Sequence, residues 1–208
     1  MSGSSRRVGA TGASGTRRSG SVTGDSTRSI DAAAVAMPRL LGEWACLGLL
    51  VVGPSHGFAL ASRLAPSGDV GRVWSMSRPL TYRSLDQLTE RGLAEQVGVE
   101  QGRAGGQRVV FGATRLGRSV LEAWIDEPVP HLRDLRSELL LKLMVLDLLG
   151  RDPSSLLRAQ RELVATTLAL LERDAGRDVV GLWRAESAAA ALRFLDRLLA
   201  GAPRSRSR

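Results

Sequence analysis

The side chains best suited to grip a phosphate fall in two short stretches. In "SMSRPLTYRSLDQLTERGL", residues 75–93, Ser77, Arg78, Tyr82 and Arg83 lie close together. In "EQGRAGGQR", residues 100–108, Arg103 and Arg108 flank glycines that let one backbone approach another. A guanidinium is a planar fork of donors that fits a phosphate or a guanine edge, and a tyrosine hydroxyl can donate to a phosphate or lie against a sugar. At about 100° per residue, Thr81, Leu85 and Leu88 share one face of a helix, while Pro79, Tyr82, Arg83, Asp86 and Glu90 point away from it. Ser77 is a good N-cap, and Pro79 is tolerated in the first turn, where its missing amide hydrogen has no helical partner. Arg78 adds charge at the end of the helix whose free amides favour an anion. Two plainer readings compete: a solvated helix with a tyrosine packed on a neighbour, and a turn with solvent-exposed arginines.

Other chemistries find little here. The glycine-rich turn opens onto a strand rather than a helix and has no Lys-Ser/Thr ending, which excludes a P-loop. His56 and His131 are far apart, so no metal cluster and no cofactor is expected. His56, between two helices, reads as a turn or packing residue. With no nucleophile beside a base and no cofactor loop, an enzyme is not expected. Cys46 is the single cysteine and lies in the apolar run "WACLGLLVV", which makes it a small buried hydrophobe with no internal disulfide. No apolar run reaches the ~18 residues of a membrane span, and no apolar stretch follows the N-terminal arginines as in a secretory signal. A soluble cytoplasmic protein is the expectation.

The net charge of +8 is concentrated in the tails: residues 1–29 carry +4 and residues 204–208 carry +3. Residues 72–118 carry +4, with eight arginines against Asp86, Glu90, Glu95 and Glu100, whereas residues 119–203 carry −2. That local excess favours a polyanionic partner. Only one of the 29 basic residues is lysine, so arginine count alone says little about function.

These stretches need elements to hold them. Residues 1–36 are Gly, Ser, Thr, Ala and Arg with almost no large apolar side chains, too few to offset chain entropy, and read as a disordered basic tail; residues 201–208 read the same way. Order begins near Pro38. "RLLGEWACLGLLVVG" is a helix stopped by Gly53-Pro54, and "SHGFALASRLA" is a second helix closed by Pro66 and Gly68. "GDVGRVWSMS" is a loop with a short extended piece around Val73 and Trp74. The third helix ends at Gly92. The period then changes to alternation in "LAEQVGVE" and "QRVVFGA", two strands joined by the glycine-rich turn. Thr114 caps a fourth helix, and helices are expected at 132–150, 153–174 and 178–200. The fold class is mainly α with a small β-hairpin wing. Three helices and a hairpin are the winged helix-turn-helix layout, in which the third helix enters the major groove and the hairpin reaches the adjacent backbone. The expected division is a winged helix-turn-helix DNA-binding domain at 37–127 and a helical dimerisation domain at 128–200.

The ordered chain resembles the PadR family of bacterial transcriptional regulators. "GPSHGFAL" is similar to that family's "GPxHGYEL", and "LTYRSLDQLTERGL" to its "LYRxLxRLExxGLI" recognition helix. "QRVVFGATRLGRSVLEAWI" resembles "RRxYxLTxxGRxxLxxWL", and "RSELLLKLMVLDLL" resembles "RDEFLLKL". "QRELVATTLALLE" and "WRAESAAAALRFLDRLL" resemble the family's last two helices. The likeness spans roughly residues 40–200. It implies a repressor that binds double-stranded DNA at a pseudo-palindrome as a homodimer joined through its C-terminal helices. It also implies a small aromatic effector near the dimer interface, for which Trp124 and Trp183 are the candidate contacts. The residues independently favour a dimer: Leu135, Leu139, Leu140, Leu143, Leu146 and Leu149 make a band too wide for one small domain to cover, and Leu182, Trp183, Leu192, Leu195, Leu198 and Leu199 add to it. The rival reading is a winged helix used for protein–protein contact without a specific DNA site.

Overall fold

The computed structural model describes residues 40–102, 106–173, 176 and 178–201. The tail expected at 1–36, nearly all of that at 201–208, and Arg103 lie outside the described residues. The elements are α1 (Leu41–Val52), β1 (Ser55–His56), α2 (Gly57–Arg63), α3 (Arg78–Glu90), β2 (Ala94–Gln101), β3 (Gln107–Ala113) and α4 (Arg115–Asp126). A 3-10 turn (Leu132–Asp134) and a π turn (Leu135–Leu139) lead into α5 (Leu140–Leu148), followed by α6 (Ser154–Glu172) and α7 (Val179–Gly201). The fold is mainly α with a small antiparallel sheet in the order β1-β3-β2. Three helices followed by the β2–β3 hairpin form the winged-helix arrangement read from the sequence.

α1 is apolar on every side, and Gly42 through Leu50 are all buried. A helix without a polar face has to sit inside. α3, α4 and α5 all pack on it; a Cβ on Gly48 would stand 2.8 Å from Val145 Cγ2. The apolar core therefore runs without a break from Trp44 and Leu47 of α1 through Leu121 and Ile125 of α4 to Leu141, Val145, Leu156 and Leu195. A buried ion pair fastens α3 to α1: Arg91 Nη1 donates to Glu43 Oε2 at 2.7 Å, and Glu43 is 2% exposed.

Three local expectations need correction. The second helix begins at Gly57, not at Ser55, because Ser55 and His56 pair with Phe111 and Val110 of β3. The hairpin is thus part of a three-stranded sheet. Val73 and Trp74 are not extended; both amides donate to Val70 O, at 2.9 and 3.1 Å. Buried Val70 anchors that turn, and Gly71 lets the backbone lie against Ala65, where a Cβ would meet the Ala65 carbonyl oxygen. The helix expected over 132–150 becomes α-helical only at Leu140. Its widened entry places Glu138 Oε1 at 3.2 Å from Trp124 Nε1 and 3.1 Å from Lys142 Nζ.

Cys46 is fully buried on α1, as its apolar surroundings led one to expect. Burial pushes its thiol up to about 12, against a hydrogen bond from Ser84 and with a smaller push from Glu43. Since the thiolate is the reactive form, native protein at pH 8 is expected to resist a thiol reagent and to be labelled only on opening. Labelling as fast as in denaturant would contradict that burial.

Candidate nucleic-acid interface

α3 divides as its sequence spacing predicts. Thr81, Ser84, Leu85 and Leu88 are buried, and Arg78, Pro79, Leu80, Tyr82, Arg83, Asp86 and Glu90 are exposed. Ser77 caps the helix, with Leu80 N–H reaching its Oγ at a long 3.5 Å while Thr81 Oγ1 donates to Ser77 O at 3.1 Å. Gly92, at φ +68°, turns the chain out of α3 in the left-handed region. The Tyr82 ring edge lies over Gly57, where a Cβ would stand 2.5 Å from Cε1, yet 42% of the residue remains exposed.

Phe58, which the sequence places with Leu60, Ala61 and Leu64 on the apolar face of the second helix, joins the two arginine-bearing stretches. Phe58, at the start of α2, is 42% exposed. Arg78 from α3 sits over its ring at 4.9 Å from the centroid, and Arg108 from β3 at 5.3 Å. Such contacts are worth about 0.5–1 kcal/mol each at exposed sites and hold a flexible side chain in place. His56 completes the group. Its Nδ1 accepts from Ala59 N–H at 3.0 Å, capping α2, and its Nε2 lies 3.4 Å from Arg108 Nη1. His56, read from the sequence as a turn or packing residue, is instead a β1 strand residue that caps α2 and makes this second contact.

The charges in this group differ from those elsewhere. Arg63, Arg91, Arg151 and Arg161 are paired with Asp69, Glu43, Asp126 and Asp196. No ion pair among the described residues involves Arg78, Arg83 or Arg108. Glu100 stands opposite Arg108 in the β2–β3 register but makes no ion pair with it. One side of the head thus presents Arg78 and Arg83 from α3 and Arg108 from β3 without an ion pair among the described residues, with Glu100 beside Arg108.

No family model and no curated protein matches the chain. Among solved structures it is similar to Bacillus subtilis PadR in complex with operator DNA. The identity is 20%, the match covers 77% of this chain and 98% of that one, and the TM-score is 0.41.

The two tryptophans named as effector contacts do not meet. Trp124 is buried and stacks on Trp44, with ring centroids 4.5 Å apart and planes 8° from parallel. Lys142 Nζ lies 4.8 Å from the Trp124 centroid and donates to Glu127 O at 2.6 Å. Burial pulls the Lys142 ammonium below its ordinary value, against the opposing pull of Glu138. Trp124, Trp44 and Trp74 border a cleft of about 540 Å³ with Arg133, Arg136 and Glu138. Trp183 is 70% exposed and borders a separate concavity of about 560 Å³ with His131, Arg133 and Arg136. Among the described residues there is no cluster able to hold a metal ion, and no helix is long and apolar enough to cross a membrane.

Proposed function

We propose that the protein is a DNA-binding transcriptional regulator of the PadR type, working as a homodimer that represses by occupying a pseudo-palindromic operator. The observation that carries this reading is the convergence of Arg78 and Arg108, from different elements, on Phe58 beside the outward face of α3. In this reading α3 lies in the major groove. Tyr82 and Ser77 meet the backbone, Arg83 reaches a base edge or phosphate, and Arg108, with Arg103 in the tip, follows the neighbouring backbone.

A second copy is the occupant we assign to the exposed apolar face of the C-terminal helices. Leu170 of α6 and Val179, Val180, Leu182 and Trp183 of α7 all stand in solvent in the single chain. Exposed apolar side chains gathered on neighbouring helices favour a self-complementary contact. An aromatic effector bound beside Trp183 would lie next to that contact and could alter the spacing of the two heads. The Trp124 cleft is the second candidate place for it.

The test is fluorescence anisotropy on the DNA upstream of the protein's own gene, at two salt concentrations, with excess unrelated duplex. Saturable binding that survives the competitor is expected. Binding abolished by competitor and salt would instead favour a winged helix whose partner is a protein. In the same assay Arg83→Ala is expected to weaken operator binding by about 1–3 kcal/mol and leave the oligomeric state unchanged. Unchanged affinity would remove Arg83 from the interface.

A further inference from the structure

His56 caps α2 by accepting Ala59 N–H at Nδ1, so in the neutral ring the proton sits on Nε2. Nε2–H then points toward Arg108 Nη1 at 3.4 Å, and both are donors. The pair cannot be a hydrogen bond between these two groups. Two donors at that separation can both reach one oxygen at the usual ~2.9 Å, or two oxygens of one tetrahedral group. Arg108 is kept in this position by the Phe58 ring rather than by an acid, and the same ring holds Arg78. The group opens onto a concavity of about 580 Å³ bordered by His56, Phe58, Arg63 and Arg108, with the Glu100 carboxylate on its β2 side.

We propose that His56 Nε2 and Arg108 together clamp a single phosphate of the DNA backbone, with Phe58 as the platform that fixes Arg108 beside it and Arg78 on the recognition-helix side. The clamp deepens the DNA-binding reading given above and rests on it. It sets the position of the wing strand against the duplex and carries no sequence information, because the phosphate is common to all base pairs. His56 takes part as a neutral donor. Only Arg108 displaces a counterion.

Three variants of the full chain test it, each titrated on the upstream duplex and on an unrelated duplex of equal length over a salt series. His56→Asn keeps an N-cap acceptor for α2 but loses the reach of Nε2. It is expected to lower affinity about fivefold on both duplexes with the salt slope unchanged, the loss of one hydrogen bond to a charged acceptor. Arg108→Gln is expected to lower affinity and to reduce the slope of log K against log salt by about 0.9, the release of one phosphate contact. Phe58→Leu keeps apolar contact but removes the ring face, and is expected to lower affinity about threefold with the slope retained. The double variant of His56 and Arg108 should lose less than the product of the single losses, since both grip one group. Wild-type binding matched by His56→Asn and Arg108→Gln would overturn the clamp alone. A lowered melting temperature for His56→Asn with unchanged DNA affinity would reduce His56 to a cap and overturn it too. Failure of the wild type to bind either duplex would overturn the clamp together with the DNA-binding reading.

Discussion

Gly117→Ala is expected to destabilise the protein by about 2–3 kcal/mol, lowering the melting temperature by about 6 °C. Gly117 lies in the first turn of α4, where its N–H donates to Thr114 Oγ1 at 3.0 Å. Thr114 also donates from Oγ1 to Gly92 O at 2.7 Å and from its amide to Leu93 O at 3.0 Å. The start of α4 is therefore tied to the exit of α3, and the two backbones nearly touch. A Cβ on Gly117 would stand 2.1 Å from Leu93 O and 3.2 Å from Leu47 Cδ1. The first of these is backbone held by two neighbouring bonds and cannot rotate away. Alanine's better helix propensity, about 1 kcal/mol, offsets only part of the strain. Gly98→Ala is the control, since nothing lies within 4 Å of a Cβ there. Thermal melts showing both variants equal to wild type would mean that α4 does not approach Leu93 so closely.

The second large effect concerns assembly. Trp183→Glu combined with Val180→Glu is expected to convert a dimer into a monomer and to cost about a hundredfold in operator affinity, because two half-sites are no longer engaged as one. The substitutions sit on the solvent side of α7, while Ala185, Ala188 and Leu195 hold its other side against the chain. The helix should stay folded, which circular dichroism checks. Sedimentation as a dimer in the double variant would show that the copies join elsewhere, or that Trp183 has another use.

What the sequence made legible was local. Thr81, Leu85 and Leu88 recur at helical spacing, so the inward face of α3 could be read directly, and Ser77 and Thr114 marked two helix starts by chemistry confined to a few residues. What escaped depended on partners far along the chain. Ser55 and His56 are a strand only because β3 lies beside them, more than fifty positions later. Phe58 looked like one residue of an amphipathic helix until Arg78 and Arg108 came to rest on it. The contacts of Trp124, its ring stacked on Trp44 and its N–H donated to Glu138, join residues 80 and 14 positions apart that no local pattern links. Of the leucine band expected to need a partner, Leu139, Leu146 and Leu195 are fully buried within the chain, most of the others are half-buried, and Leu182 and Trp183 are exposed. Val179 and Val180, which periodicity alone does not announce, extend that exposed face at the start of α7.

The placement of α1 has a mechanical consequence. Because α1 packs both against the head and against Val145 within one continuous core, the head and the C-terminal helices are expected to move together. Two such chains would behave like a calliper whose gap is set at the far joint. A repositioning of about an ångström between copies would be carried undiminished to the DNA. Operators with one base pair inserted between the half-sites should then be rejected rather than accommodated.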